Sequence, residues 1–168
     1  IKTKIKEYGA ISFSEFMKFA LYDETEGFYA HGGAGRKKDF ITSPEVGPLF
    51  GKLISQAIDK CWIEFGKPSH FTFLECGAGP GTLAKSILRS QMQCKDALKY
   101  IAVESSSQQS QTHPSTVQTL STMPKEIEVG IIFANELLDN LPFDIFEAQN
   151  DGSWLEVKIT VDDENSSE

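Results

Sequence analysis

Phe73-Leu74-Glu75-Cys76-Gly77-Ala78-Gly79-Pro80-Gly81-Thr82-Leu83-Ala84 decides the fold. An apolar run of strand length ends in an acid, three glycines follow at every second position, and a helical pattern begins. Strand, tight turn and helix N-terminus in that order are how a doubly wound sheet holds a nucleotide-like cofactor. Glycines bring bare backbone close to a ligand and accept angles that other residues resist. The layout predicts free N–H groups and the positive end of a helix dipole facing a pocket.

The glycine spacing separates two readings. Dinucleotide sites favour G-x-G-x-x-G. Here Gly77, Gly79 and Gly81 make G-x-G-x-G, with Thr82 where the last glycine would fall. A second acid, Glu104, ends the next apolar run, Tyr100-Ile101-Ala102-Val103. A carboxylate at that strand end can accept hydrogen bonds from both ribose hydroxyls. Acid, alternating glycines and second acid resemble the cofactor motifs of class I methyltransferases, which use S-adenosyl-L-methionine (SAM). A dinucleotide protein and a glycine-rich turn in an unrelated α/β protein stay open as alternatives at this point.

Composition narrows the classes. The 168 residues suffice for one domain with a core, and the 40% hydrophobic and 24% charged shares are those of a soluble globular protein. A net charge of -8, with Arg36-Lys37-Lys38 as the one basic run, argues against nucleic-acid binding. An acidic surface suits a cationic protein partner. The odd number and wide spacing of Cys61, Cys76 and Cys94 suit neither a disulfide framework nor a zinc site, so they read as packing residues in a reducing compartment. His31, His70 and His113 lack metal-ligand spacing and read as loop or surface residues; no metal is expected. No Ser-His-Asp or Cys-His pattern supports hydrolysis. No apolar run approaches membrane-spanning length, so no membrane insertion is expected. The chain begins at Ile1, which leaves its natural N-terminus and any targeting segment open.

Reading along the chain, Ser12 and Glu15 form a capping box, Ile11 and Phe16 are placed as a hydrophobic staple, and a helix is expected from Ser12 to Leu21. Residues 27–36 are glycine-rich, a loop or a lid. Pro48 suits a helix start, and apolar residues recur at helical period from Leu49 to Phe65. Then come a strand over 71–76, a helix over 81–93, a strand over 100–104, a weak helix over 105–113 and a short strand over 116–120. A buried strand over 127–134 leads into a short helix from Asn135, stopped near Pro142, and 154–161 alternates as a half-exposed strand. This alternation predicts an α/β protein with a mostly parallel, Rossmann-like class I methyltransferase sheet and an N-terminal helical extension. The expected divisions are 1–66 for the extension with a cofactor-covering loop, 67–161 for a partial SAM-binding domain, and 162–168 for an acidic frayed end. Ordinary class I methyltransferases build seven strands and four or five are visible here, so the sheet reads as truncated, part of a longer protein.

Three further segments narrow the family. They are Ile11-Ser12-Phe13-Ser14-Glu15-Phe16-Met17 through Tyr22 with Gly27-Phe28-Tyr29; Asp39-Phe40-Ile41-Thr42-Ser43-Pro44-Glu45-Val46-Gly47-Pro48-Leu49-Phe50-Gly51; and Ala134-Asn135-Glu136-Leu137-Leu138-Asp139-Asn140-Leu141-Pro142. With the glycine motif between them, the chain resembles the MidA family from about Ile11 to Pro142. That family includes a mitochondrial arginine methyltransferase that assists assembly of respiratory complex I, and its proteins are about twice this length. The resemblance implies SAM-dependent methyl transfer to a protein arginine, with a complex I subunit as one candidate partner. It implies the mitochondrial matrix in a eukaryote and the cytoplasm in a bacterium. An assembly factor that binds SAM without turnover is one rival reading; a nicotinamide oxidoreductase, which the glycine spacing disfavours, is the other. Oligomeric state is left open.

The expected cofactor residues follow. Backbone around Gly77, Ala78, Gly79 and Gly81 takes the amino-acid end of SAM, and Glu75 orders the loop or holds the ammonium group. Glu104 takes the ribose, and Ser105 lies beside the adenine. By resemblance, Ser43 and Pro44 lie over the cofactor. Asn135 leaves its strand where the methyl group should point. An arginine guanidinium is protonated and a poor nucleophile, so nearby carboxylates must hold the fork and help a proton leave. Glu136 and Asp139, three apart on an expected helical face, are nominated for this, with Glu45 as an outside candidate. The competing reading makes Asn135 an N-cap whose helix dipole the two acids complement.

Overall fold

The computed structural model describes residues 1–29 and 47–161. The described residues fall into two compact units, one of residues 1–29 with 138–161 and one of residues 47–137. The first begins with α1 (Lys2–Tyr8), β1 (Ile11–Ser12) and α2 (Phe13–Tyr22). The capping box forms: the Glu15 N–H donates to Ser12 Oγ at 3.1 Å and the Ser12 N–H donates to Glu15 Oε2 at 3.3 Å.

The second unit opens with α3 (Pro48–Glu64), whose proline occupies the first turn, where a missing N–H costs nothing. It continues with β2 (Phe71–Cys76), α4 (Thr82–Arg89), β3 (Leu98–Val103), α5 (Ser107–Ser110), β4 (Gln118–Leu120) and β5 (Gly130–Ala134). The four strands form one parallel sheet in the order β4-β3-β2-β5. Cys76 stands opposite Val103 on one side and Ala134 on the other, and Val103 stands opposite Leu120. The carboxyl ends of all four strands therefore finish level. The chain steps outward from β2 to β4, then returns to the other flank of β2, which creates the switch point where such sheets bind ligands.

Period-two alternation supplies the core. Phe71 and Phe73 of β2 and Tyr100 and Ala102 of β3 pack with Ile58, Leu83, Ala84 and Ile87 of the two helices. On the opposite face, Leu74, Cys76 and Ile101 meet Val103, Leu120, Ile127 and Leu137. Gly51 lets α3 pass close to α4, since a Cβ there would collide with Ser86.

Several boundaries differ from expectation. The helix after the glycine loop stops at Arg89 instead of 93. Ser90 is extended, and both carboxylate oxygens of Asp59 take N–H groups beyond it, from Gln93 and Cys94, at 2.9 Å each. The strand expected from 127 starts at Gly130 and is not fully buried. It is an edge strand in which Ile131 and Phe133 face the core and Ile132 is 59% exposed. The helix expected from Asn135 does not form. Glu136 adopts φ +50, a left-handed conformation that no α-helix accepts, and only a 3₁₀ turn over Leu138–Asn140 follows. α3 packs with the sheet residues through Ile58.

The first unit resumes with β6 (Phe146–Ala148), β7 (Trp154–Glu156) and β8 (Lys158–Ile159). β6 and β7 form an antiparallel hairpin, and β8 pairs antiparallel with β1. The single strand expected over 154–161 is thus split at Val157, whose N–H turns to the Ile145 carbonyl at 2.8 Å. The acidic end expected over 162–168 lies outside the described residues.

Candidate cofactor-binding site

The loop between β2 and α4 runs through three left-handed glycines, with φ of 67° at Gly77, 54° at Gly79 and 73° at Gly81. Other residues would be strained at these positions. The expectation of free loop N–H groups needs correction. The N–H groups of Gly77 and Ala78 both donate to the Val103 carbonyl, at 2.9 and 3.1 Å, and that of Gly79 donates to Glu104 Oε2 at 2.8 Å. The level strand ends put these acceptors within reach, so these donors brace the loop. What the loop does present is the first turn of α4, which starts from Gly81 and carries no side-chain cap. Its N–H groups and dipole suit an anion.

Glu75 is the buried acid of the site, 5% exposed and next to last in β2, just before the glycines. It lies on the same face of β2 as Phe71 and Phe73. Tyr100, buried on the neighbouring strand, donates its hydroxyl to Glu75 Oε2 at 2.6 Å. Among the described residues, no donor reaches the other oxygen, Oε1. Burial pushes the Glu75 carboxyl up to about 7, the Tyr100 hydrogen bond opposes this, and the charge of Glu104 adds to it. The same burial and the adjacent Glu75 charge hold the Tyr100 hydroxyl far above the usual phenol range.

Glu104 leaves β3 directly beside the loop. Besides the Gly79 N–H, it takes the Ser106 N–H on Oε1 at 2.7 Å. Each carboxylate oxygen keeps a second lone-pair site, so a ribose diol can still be accepted. Ser105 follows it and is exposed.

On the other flank, β5 delivers Asn135 next to the glycine loop, since Ala134 pairs with Cys76. Leu137 covers Gly77: a Cβ there would lie 2.9 Å from Leu137 Cδ1. Asn135 is half-buried and directs Nδ2 at Glu136 Oε1 at 3.4 Å; Glu136 is exposed. The shared helical face expected for Glu136 and Asp139 is absent, because Glu136 is left-handed and only a 3₁₀ turn over Leu138–Asn140 follows it. Asp139 is exposed on the 3₁₀ turn and belongs to the other unit. Ser43, Pro44, Glu45 and His31 lie outside the described residues.

The structure brings together Glu75, the glycines, Glu104 and the exit of β5. It also adds a residue that sequence reasoning set aside. His113 places Nε2 2.7 Å from the Gly79 carbonyl and Nδ1 2.8 Å from Thr119 Oγ1. Nothing in its polar sequence context marks it; its place beside the loop follows from the parallel pairing of β4 with β3. Among the described residues, no cluster of potential ligands could hold a metal ion, and no helix is long and apolar enough to cross a membrane.

A family model described as "Putative S-adenosyl-L-methionine-dependent methyltransferase" matches residues 53–168. The chain belongs to this methyltransferase family. Its curated relatives in the family include the Rattus norvegicus mitochondrial protein arginine methyltransferase NDUFAF7, 32% identical over 95% of this chain and 44% of that protein. The Mus musculus protein of the same name is 42% identical over 60% of this chain and 23% of that protein. The Drosophila melanogaster homologue is 29% identical over 96% and 44%. The chain spans less than half the length of these relatives. A crystal structure of a COG1565 superfamily member from Burkholderia thailandensis, bound to S-adenosyl-homocysteine, aligns with a TM-score of 0.67 at 24% identity. It covers 95% of this chain and 48% of that one, and at this identity it shows a shared fold.

The residues present fit the cofactor of this methyltransferase family. SAM carries an ammonium group, a carboxylate and a ribose diol. Oε1 of buried Glu75, which no donor reaches among the described residues, calls for a cation or another donor. The uncapped start of α4 calls for an anion, and Glu104 keeps acceptor sites for hydroxyls.

Proposed function

We propose that this chain carries the cofactor half of a SAM-dependent protein methyltransferase that acts on arginine. The observation that carries the reading is the pairing of two carboxylates, Glu75 and Glu104, around one left-handed glycine loop at the sheet's switch point. Membership of the methyltransferase family supports it, and the names of the NDUFAF7 relatives support arginine.

SAM supplies a methyl group on a sulfonium centre, activated for transfer to a nucleophile. The chain's residues have three tasks. Glu75 would receive the ammonium group, and that cation would lower the proton affinity of its carboxyl and release its proton to solvent. Glu104 fixes the ribose while bracing Gly79. Glu136, beside Asn135, would grip a substrate guanidinium and accept its proton, and Ser105 would border the adenine. Ser43 and Pro44 complete the cofactor set through the family resemblance, and Asp139 is the second acid candidate. Positioning and exclusion of water, more than covalent chemistry, set the rate of such a displacement.

The acidic chain suits a cationic, arginine-bearing protein substrate. A respiratory complex I subunit is the candidate, in the mitochondrial matrix in a eukaryote and in the cytoplasm in a bacterium. Calorimetric titration with S-adenosylhomocysteine tests the cofactor reading: saturable binding is expected, and its absence would sink it. Mass spectrometry of the candidate subunit after incubation with labelled SAM tests the target, with label on arginine as the expected result and label elsewhere as the refutation.

A further inference from the structure

We propose that His113, oriented by Thr119, is a positioning residue that locks the cofactor loop into its binding conformation. The inference rests on the methyltransferase reading and adds a residue outside its motifs.

The Gly79 residue is held from both sides. Its N–H donates to Glu104 Oε2 at 2.8 Å, and its carbonyl accepts from His113 Nε2 at 2.7 Å. Two opposed bonds on one residue fix both of its torsions, and the torsion they fix is the left-handed φ of 54° that gives the loop its turn. A carbonyl can only accept, so Nε2 carries the proton. In the neutral ring Nδ1 then accepts from the Thr119 hydroxyl, 2.8 Å away, which sets the ring's tautomer and its plane. The ring also packs against the loop, since a Cβ on Gly81 would lie 2.9 Å from His113 Cδ2. The next carbonyl is held too: Pro80 accepts from Thr112 Oγ1 at 2.8 Å and Lys85 Nζ at 2.9 Å.

The consequence is preorganisation. A loop with three left-handed glycines is the most mobile kind of backbone when free, and ordering it on binding costs affinity. His113 prepays that ordering in the ligand-free protein. Its effect should fall on the part of the cofactor that meets the loop, the amino-acid tail.

The test compares two ligands by calorimetry: S-adenosylhomocysteine, and 5′-methylthioadenosine, which keeps the nucleoside and lacks the tail. His113→Ala should weaken S-adenosylhomocysteine about tenfold and 5′-methylthioadenosine by no more than about twofold. His113→Gln, whose amide can donate to the same carbonyl, should recover most of the loss. Thr119→Val, which keeps the shape and removes the hydroxyl, should cost about threefold for the first ligand alone, and it serves if His113→Ala does not fold. Equal losses for both ligands, or no loss in either folded variant, would overturn the proposal. Failure of the unaltered protein to bind S-adenosylhomocysteine would refute the methyltransferase reading instead.

Discussion

The two flanks of β2 are built differently. Towards β3, the backbone and the acids are tied together: Gly77 and Ala78 to Val103, Gly79 to Glu104, Glu104 to Ser106, and Glu75 to Tyr100. Towards β5, the ladder ends at Ala134, Ile132 is 59% exposed, and Glu136 faces solvent from a left-handed turn. One flank is preorganised by its own hydrogen bonds; the other leaves Ile132 and Glu136 at the surface. Changes on the β3 flank should therefore act on stability and cofactor affinity, and changes on the β5 flank on turnover.

The largest expected effect tests the burial of Glu75. Its carboxyl is raised from 4.5 to about 7, so between these pH values the folded protein holds a proton that the unfolded chain has released. Its contribution is complete below about pH 4.5 and is lost as pH rises towards 7, on the order of 3 kcal/mol. Urea denaturation at stepped pH should show this fall, and Glu75→Gln should flatten it; an unchanged slope would mean that Glu75 is not the group responsible. Next in size is Glu136→Gln, for which methyl transfer should drop roughly 100-fold with cofactor affinity intact. Full turnover in single-turnover assays would erase the functional contrast between the flanks. Glu104→Ala should weaken S-adenosylhomocysteine roughly 30-fold, about 2 kcal/mol, because both the ribose and the Gly79 N–H lose an ionised acceptor. Calorimetry showing unaltered affinity in a folded variant would remove Glu104 from the site. Smallest is Asp139→Asn, expected to change turnover by about twofold or less, as for an exposed surface group. A loss as deep as that of Glu136→Gln would show that the two acids act as a pair after all.

Much of this was legible beforehand. The β2 strand, the capping box of α2 and the start of α3 at Pro48 match the expected positions, because each depends on residues within a few positions of one another. The proximity of Glu104 to the glycines follows from two strand ends finishing level in a parallel sheet. Other features gave no local signal. The helix after the loop ends early because Asp59, from a different helix, captures the N–H groups of Gln93 and Cys94. The segment after Asn135 has helical composition, yet Glu136 turns left-handed and leaves only a short 3₁₀ turn.

The order of residues was enough to establish an α/β sheet with a glycine loop between two acids, since period-two alternation, glycine spacing and capping are short-range properties. Folding in three dimensions settled how those groups are used. It turned the loop's N–H groups inward, raised the proton affinity of Glu75 by removing it from water, and set His113 against Gly79. Desolvation and hydrogen-bond pairing depend on groups far apart in the chain, and no local pattern encodes them.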